Sequence, residues 1–451
     1  MSKLDDKDVS NSESFVPKEL VVPFILLVLC FTAWGAAANL TDILVGVFRG
    51  IFDMSNFQSS LVQFAYYGAY FLLALPAGFV INKYGYKTGV LLGLGLAALG
   101  GLMFLPASEL LVYEMFLLAL FMLAAGLSIL ETSANPFVIA MGKESSATQR
   151  LNLAQSFNPI GANIGVLLGA VLILPALTPE SSKAIMSEEQ LLASQEADLN
   201  LVLMPYLGIA FVLVAIWLLI FFRKFPLPKQ KSPAQLAAAG AIPSGNTGSR
   251  LWKNRHYRYG VMAQFFNVAA QTCVWTFTIL YAQDVVGLTP EAAGWWLQGS
   301  LIIFLFSRFL MTWLLGVIRP ALLLMIMALF GVVCCLVSLI ALNIVGLIAV
   351  VATSASLSLM FPTIYGLALQ GLGEDAKFGS AGLVMAILGG AIMPMIHAAV
   401  MDVAGSSMGY IVPAICLALV AAYALFDLRN TRPGIVDEED DLDTPAGGAV
   451  C

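Results

Sequence analysis

Charged residues are scarce in this chain, and their scarcity excludes a soluble globular protein. Asp, Glu, Lys and Arg together make up 11% of the 451 residues, whereas apolar residues make up 59%. Soluble domains carry about a quarter charged residues. Several of the acids present lie in a single C-terminal run, which is typical of a solvated tail: Asp437, Glu438, Glu439, Asp440, Asp441 and Asp443. The rest of the chain has the composition of a membrane protein.

The sequence also lacks the patterns that hold disulfides, metals or nucleotides. Its six cysteines show no disulfide framework and no metal-ligand spacing: Cys30, Cys273, Cys334, Cys335, Cys416 and Cys451. The sequence has no Gly-x4-Gly-Lys-Ser/Thr loop, which binds nucleotide phosphates, so we do not expect ATP hydrolysis by this chain to drive transport. We therefore expect no metal, no organic cofactor and no nucleic-acid partner.

Long apolar runs alternate with clusters of charged and turn-forming residues. Many runs are close to the length of about 20 residues that spans about 30 Å of hydrocarbon as a helix. They predict twelve membrane-spanning helices, at residues 20–47, 58–81, 88–106, 112–139, 151–175, 200–222, 257–283, 292–316, 320–342, 345–371, 378–400 and 408–427. The segment before the first run carries more acids than bases. This is atypical of a signal peptide, so we expect the first run to be retained as a helix.

Lys and Arg residues lie mostly on one side of the predicted bundle, and this is the cytoplasmic side by the usual charge rule. The opposite side has only Arg49 and Lys183 outside the spans. Both termini are therefore predicted to be cytoplasmic, and the chain to be an all-α polytopic membrane protein with two six-helix halves. The predicted domains are a cytoplasmic segment 1–19, a first half 20–222, a cytoplasmic linker 223–256, a second half 257–427 and an acidic cytoplasmic tail 428–451.

Two carboxylates, Asp42 and Glu131, lie inside runs that otherwise suit the middle of a lipid bilayer. A charge in hydrocarbon costs about 3 kcal/mol or more. Such a group normally faces a polar cavity, and it loses its charge when it takes up a proton. We therefore predict that both residues couple transport to proton movement.

Amide side chains form stripes at helical spacing on several predicted spans. The stripes comprise Asn39 in span one, Asn135 in span four, Asn152, Gln155, Asn158 and Asn163 in span five, and Gln264, Asn267 and Gln271 in span seven. No lipid atom can satisfy an amide in hydrocarbon, so the stripes predict a polar cavity shared between helices. The alternative for each amide is a hydrogen bond that only holds two helices together.

Aromatic residues accompany these stripes. They lie on predicted spans one, seven and ten: Trp34, Trp275, Phe361 and Tyr365. Aromatic faces beside amides suit a ligand with apolar C–H faces and polar edges, such as a sugar. The alternative for each ring is packing between helices.

Two ionisable residues in the second half have open interpretations. Arg308 lies about two turns inside the end of span eight, where it either extends to the surface or pairs with a carbonyl or carboxylate. His397 in span eleven is expected to be neutral and hydrogen-bonded.

The segment from Gly78 to Lys87, Gly-Phe-Val-Ile-Asn-Lys-Tyr-Gly-Tyr-Lys, resembles the loop motif between the second and third helices of the major facilitator superfamily. Asn82 replaces the more usual Asp. Further segments resemble the L-fucose:proton symporter family, and the likeness covers residues from about 20 to 430. They are Asn39-Leu-Thr-Asp42, Leu130-Glu131-Thr-Ser-Ala-Asn135-Pro136-Phe137, Arg150-Leu-Asn152-Leu-Ala-Gln155-Ser-Phe-Asn158, Ala263-Gln264-Phe265, Ala270-Gln271-Thr272, Phe361-Pro362-Thr363-Ile364 and Gly373 to Ser380.

The resemblance implies a sugar–proton symporter, with fucose as the leading substrate and glucose/galactose or N-acetylglucosamine as alternatives. It implies proton coupling through Asp42, sugar contact or gating through Glu131, a sugar cavity, and a gating motif. The implied cavity residues are Trp34, Asn39, Asn135, Gln155, Asn158, Gln264 and Trp275. The amide stripes add Asn267 and Gln271, and the aromatic residues add Phe361. The gating residues are Gly78, Asn82, Lys83, Gly85 and Lys87.

Two departures bear on the substrate. Ala38 stands where the family pattern has an asparagine, and Phe361 where the fucose carriers have a tyrosine. Each removes a hydrogen bond to the sugar that the resemblance would otherwise predict. The expected partners are a monosaccharide, a proton and the lipid bilayer, and we expect a monomer in the bacterial inner membrane.

The expected cycle begins with an outward-facing cavity that takes a proton on Asp42 or Glu131 and then the sugar. The neutralised carrier can then close into a dry interface and rock inward. Three other functions are open: a proton-driven exporter of the same fold, a passive facilitator, and an intramembrane enzyme with Glu131 as a base. The sequence shows no nucleophile or metal set for the enzyme.

Overall fold

A computed structural model describes residues 15–51, 56–110, 112–168, 178, 186–225 and 247–430. The side chains of residues 40–64 lie outside that description. The described chain is helical, and no strand occurs within these ranges. We refer to residues 15–225 as the first half and to residues 247–430 as the second half.

The helices follow the predicted spans closely. They are α1 (Val21–Ile51), α2 (Asn56–Tyr84), α3 (Tyr86–Leu110), α4 (Tyr113–Ile139), α5 (Ala147–Gln155), α6 (Asn158–Leu168), α7 (Glu188–Phe222), α8 (Thr247–Lys253), α9 (Arg255–Asp284), α10 (Pro290–Leu314), α11 (Pro320–Ile340), α12 (Ile344–Leu369), α13 (Ala376–Met385), α14 (Gly389–Ala404) and α15 (Ile411–Arg429). Among the described residues, 11 helical segments are long and apolar enough to cross a membrane. They correspond to predicted spans one to four and six to twelve.

Span five is broken, and the prediction of one continuous helix over 151–175 is wrong in this respect. Helices α5 and α6 are separated by a turn at Ser156 and Phe157. Pro159 supplies the reason, because it has no N–H to bond the carbonyl of Gln155 one helical turn earlier. The part of the predicted span beyond Leu168 lies outside the described residues.

Helix also occurs in two long segments that the sequence predicts to lie between spans, at residues 176–199 and 223–256. Helix α7 begins at Glu188, not at residue 200, because Ser187 and Gln190 form a capping box at its start. Hydropathy locates only the apolar part of such a helix. Within the predicted linker 223–256, α8 is held by Arg250, whose Nε donates to Asp375 at 2.8 Å. The hydrogen bonds to Asp375 raise the pKa of the Arg250 guanidinium.

Hydrogen bonds between connections identify the two ends of the bundle. On one end, which we call the basic side, Lys87 donates to the carbonyls of Phe221 and Arg223 at 3.0 and 2.8 Å. On the opposite side, the Tyr281 hydroxyl donates to the carbonyl of Ser338 at 2.7 Å. These contacts fit spans that alternate in direction, as the short connections predict.

The outer surface of the helices is apolar. Phe211 and Phe306 are 64% and 70% exposed, although each lies well inside a long helix. Exposed apolar surface of this extent would be unfavourable in water and suits a lipid environment.

The two halves touch each other on the basic side. The rings of Phe79 and Phe378 lie 5.0 Å apart, and Gln149 Nε2 donates to the carbonyl of Thr312 at 3.2 Å. A side chain at Gly366 would collide with Thr148 of the first half. In this conformation, therefore, the halves are closed together on the basic side.

Candidate site between the two halves

Glu131 lies on α4 at the centre of the candidate site. It is 1% exposed, and neither carboxylate oxygen has a hydrogen-bond partner among the described residues. Tyr70 of the first half and Tyr365 of the second half both lie within electrostatic range of the carboxylate. Glu131 is therefore buried where the two halves meet.

Tyr70, which lies within electrostatic range of the carboxylate, also accepts a hydrogen bond from a tryptophan. Trp34 Nε1 donates to the Tyr70 hydroxyl at 2.9 Å, and the ring of Tyr66 lies 5.2 Å from that of Tyr70. Trp34 itself is half-buried. The predicted site residue Trp34 thus lies beside the aromatic wall that contains Tyr70.

Two predicted amides form a direct pair close to Glu131. Gln155 Nε2 donates to Asn135 Oδ1 at 2.7 Å, and both residues are buried. Tyr365 of the second half lies near Asn135, and the amide nitrogen of Asn135 has no hydrogen-bond partner among the described residues. The first-half stripes on α4 and α5 therefore meet each other and also meet the second half.

Helix α9 supplies the polar wall of the second half. Gln264 and Asn267 are fully buried, and neither amide has a hydrogen-bond partner among the described residues. Gln271 continues the stripe and is half-buried. A buried amide without a partner costs about 1–3 kcal/mol, so these two residues are poor candidates for simple helix–helix contacts.

Aromatic residues complete the second-half wall. Trp275 Nε1 donates to Ser354 Oγ at 3.0 Å, and its ring meets Phe304 edge-on at 5.0 Å. Phe361 stacks on Tyr365 with ring centres 6.1 Å apart. The ring of Phe361 thereby extends the aromatic surface that approaches Glu131.

Other predicted site residues lie apart from this cluster or outside the description. Asn39 Nδ2 donates to the carbonyl of Gly35 in its own helix at 3.1 Å. Asn158 Nδ2 donates to the carbonyl of Phe31 at 3.3 Å, a contact between α6 and α1 that fits the helix–helix interpretation. The backbone of Asp42 lies in α1, but its side chain is outside the described residues.

The predicted gating residues lie on the basic side. A side chain at Gly78 would approach Ala381 at 3.1 Å, so the absence of a side chain allows α2 to meet α13 closely. Gly85 has a φ of 87°, which favours glycine, and it separates α2 from α3. Lys87 anchors the end of α7 as described above, whereas Asn82 and Lys83 are exposed.

Arg150 is the most enclosed charged side chain near these connections. It is fully buried, and its guanidinium donates to the carbonyls of Val138 at 2.9 Å and Ile139 at 2.6 Å. Further bonds reach the carbonyls of Phe15 and Lys143 at 3.0 and 3.2 Å. Arg150 thus donates to carbonyls at the end of α4, where the last turn of a helix lacks intrahelical N–H donors.

Replacing Arg150 with Met is therefore expected to destabilise the folded transporter. Each buried carbonyl left without a donor costs about 1–3 kcal/mol. The thermal unfolding temperature of the purified protein in detergent measures this loss. Arg319→Met is the matched control, since Arg319 is an exposed arginine on the same side. Equal unfolding temperatures for the two variants would contradict this role.

The structure shows the side-chain contacts of Arg308 and His397, whose roles the sequence left undecided. Arg308 donates to backbone carbonyls, which confirms the interpretation that it pairs within the protein and does not extend to the surface. The expectation of a hydrogen-bonded His397 is wrong within the described residues, where neither ring nitrogen has a partner. Its ring stacks on Phe277 instead, with centres 4.2 Å apart.

Sequence reasoning counted Tyr365 among the aromatic residues that suit a sugar but did not assign Tyr70 to the site. Tyr66 and Tyr70 lie one turn apart in an apolar span, and that hydroxyl stripe is the signal that could have identified Tyr70. Asn152 Nδ2 donates to Thr363 Oγ1 at 3.1 Å and so joins the two halves. No pattern in the sequence predicts this hydrogen bond. Among the described residues, no group of three or more His, Cys, Asp or Glu could hold a metal ion.

Comparisons with known proteins identify the family. Residues 24–388 match the model of the Major Facilitator Superfamily. The L-fucose-proton symporter of Escherichia coli is 40% identical over 93% of this chain and 95% of its own length. The L-fucose-proton symporter of Haemophilus influenzae is 37% identical over 90% and 96%. A glucose/galactose transporter of Brucella abortus is 34% identical over 90% and 93%.

The fold agrees with a solved structure of the same group. The crystal structure of FucP in the outward conformation superposes with a TM-score of 0.84 at 40% identity, covering 91% of this chain and 99% of that one. Membership in a family of membrane transporters argues against the intramembrane-enzyme interpretation. The chain belongs to the major facilitator superfamily, in the family that contains these fucose and glucose/galactose carriers.

Proposed function

We propose that this chain imports L-fucose, or a closely related monosaccharide, together with a proton by alternating access. The relatives named for fucose–proton symport are 40% and 37% identical to it, and the glucose/galactose carrier is 34% identical. Their similarity supports a sugar–proton symporter. The observation that carries the proposal is the position of Glu131.

Glu131 has the properties that proton coupling requires. A buried carboxylate without hydrogen-bond partners is costly when charged, and protonation removes that cost. Because Tyr70 and Tyr365 approach it from different halves, closing the site around it is easier when it is neutral. Binding of the proton and movement of the halves are thereby linked.

The surrounding side chains offer what a monosaccharide needs. Gln264 and Asn267 provide buried donors and acceptors without described partners, and sugar hydroxyls can bond to both. Trp34 and Trp275 offer aromatic surface for the C–H faces of the ring. Phe361 cannot donate or accept a hydrogen bond, which favours a sugar with an apolar edge at that point, such as the methyl group of a 6-deoxy sugar.

The basic side is proposed to face the cytoplasm, since Lys and Arg concentrate there. Both termini are then cytoplasmic, and the conformation described above is closed toward the cytoplasm. We propose a monomer in the bacterial inner membrane, with the proton as coupling ion and no other cofactor. Asp42 shares the proton-coupling role with Glu131.

Uptake of labelled sugars into vesicles tests this function. With an alkaline interior, we expect the protein to accumulate L-fucose, because one proton driven by one pH unit supplies about 1.4 kcal/mol, enough for about tenfold accumulation. D-galactose, D-glucose and N-acetylglucosamine are the comparison sugars. A protonophore should reduce the accumulation ratio to about one.

Each alternative function gives a different result in the same vesicles. Uptake that is unaffected by the protonophore would identify a passive facilitator. Sugar efflux driven by proton entry would identify an exporter. Preferential accumulation of galactose, glucose or N-acetylglucosamine would retain the symport mechanism but replace the substrate.

A further inference from the structure

Arg308 is a buried cation that the proton and sugar sites do not use. It lies on α10, is 5% exposed, and stacks over the ring of Phe304 at 4.9 Å. Its Nε donates to the carbonyl of Ser358 at 2.7 Å, and its Nη1 donates to the carbonyl of Gln155 at 3.1 Å. The first contact lies within the second half, whereas the second crosses to the first half.

Both of these carbonyls lack the usual helical N–H donor, because a proline stands at the position that would supply it. In an α-helix, the carbonyl of a residue accepts from the N–H four positions later. Four positions after Gln155 stands Pro159, and four positions after Ser358 stands Pro362. Neither proline has an N–H, so each leaves a buried carbonyl that requires another donor.

The guanidinium of Arg308 is shaped for this task. It presents several N–H donors in a fixed plane and stays charged, so one side chain can serve two carbonyls at once. Hydrogen bonds from a charged donor are also stronger than neutral ones. A lysine has one compact donor group and cannot reproduce that planar geometry.

The contact between the halves also reaches the candidate sugar site. Gln155 accepts from Arg308 through its backbone, and its side chain donates to Asn135 beside Glu131. Next to it, Ser156 Oγ lies 3.2 Å from Thr312 Oγ1 of the second half. Any separation of the halves on the basic side must break the bond between Arg308 and Gln155.

We propose that Arg308 is a positioning residue that holds the two halves together on the basic side. It does so by supplying the donors that Pro159 and Pro362 remove from α5–α6 and α12. Opening toward the basic side leaves the Gln155 carbonyl without this donor. Arg308 thereby stabilises the conformation that is closed on the basic side relative to the one open there.

This inference rests on the proposed alternating access, but its test needs neither sugar nor a proton gradient. Spin labels on full-length protein in lipid nanodiscs report the distance between the halves at each side. Lys143→Cys with Val317→Cys labels the basic side, and Val112→Cys with Leu342→Cys labels the opposite side; all four positions are exposed. The five described cysteines are buried, and Cys451 is replaced by Ser.

Two variants weaken the contact in independent ways. Arg308→Met removes the donor, and Pro159→Ala returns a helical N–H to the Gln155 carbonyl without changing Arg308. Both are expected to lengthen the basic-side distance and shorten the opposite one, shifting the ratio of conformations at least about tenfold. Arg308→Lys should give a partial shift, and Arg319→Met, which changes an exposed arginine on the same side, should give none.

Unchanged distance distributions in Pro159→Ala would overturn the proposal, even if Arg308→Met failed to fold. Unchanged distributions in a folded Arg308→Met would overturn it as well, whatever the loss of thermal stability, because a purely structural arginine lowers stability without moving this equilibrium. Failure of sugar accumulation in the unsubstituted protein would count against the proposed transport function and leave these distance measurements intact.

Discussion

Vesicles that carry the Glu131→Gln variant are expected to equilibrate the sugar but not to concentrate it. Glutamine keeps the size of the side chain and cannot exchange a proton. The halves can then close around position 131 without a charge there in any step, so sugar movement no longer requires proton uptake at this residue. A gradient of one pH unit, which can drive about tenfold accumulation with one proton, should give a ratio of about one.

Exchange across the membrane separates this loss of coupling from a loss of binding. Glu131→Gln should still exchange labelled for unlabelled sugar, because the neutral amide resembles the protonated acid. Asp42→Asn is expected to behave in the same way if the two residues share the coupling role. Glu114→Gln is the matched control, since Glu114 is an exposed acid on the same helix, and it should accumulate sugar normally. Full accumulation by Glu131→Gln would refute the assignment.

The spans of this protein are readily predicted because the bilayer selects for long apolar runs. Where the prediction was wrong, a polar or backbone feature decided the structure. The capping box of Ser187 and Gln190 starts α7 well before its apolar part. Pro159 divides span five because it cannot donate a backbone hydrogen bond to the carbonyl of Gln155.

The candidate site is predictable to the extent that unusual residues mark it. Glu131 and the amide stripes stand out in an apolar sequence, and the structure brings Glu131, Asn135 and Gln155 together. The contacts of Arg308 could not be predicted in this way. Its partner Gln155 is 153 positions away, and the contact involves a backbone carbonyl, which carries no side-chain signal.

The close packing of α1 against α6 is a further feature that only the structure shows. A side chain at Gly161 would overlap the carbonyl oxygen of Thr32, and one at Gly35 would overlap the carbonyl of Asn158. The backbones of the two helices are therefore in direct contact. Membrane helices gain their association from such close approach, because lipid gives no hydrophobic force between them.

Replacing Gly161 with Leu should therefore prevent α1 and α6 from packing, with loss of most of the folded protein. The new side chain must push two backbones apart, and overpacking of this kind costs about 1–3 kcal/mol or more. The yield of monodisperse protein after extraction in detergent and the unfolding temperature of the remainder measure this effect. Gly208→Leu is the control, because Gly208 is an exposed helical glycine with no atom within 4 Å of an added Cβ. Leucine is a good helix former and suits a lipid-facing surface, so this variant should fold as well as the parent. If Gly161→Leu were equally well folded, the contact of α1 with α6 would have to be looser than the structure shows.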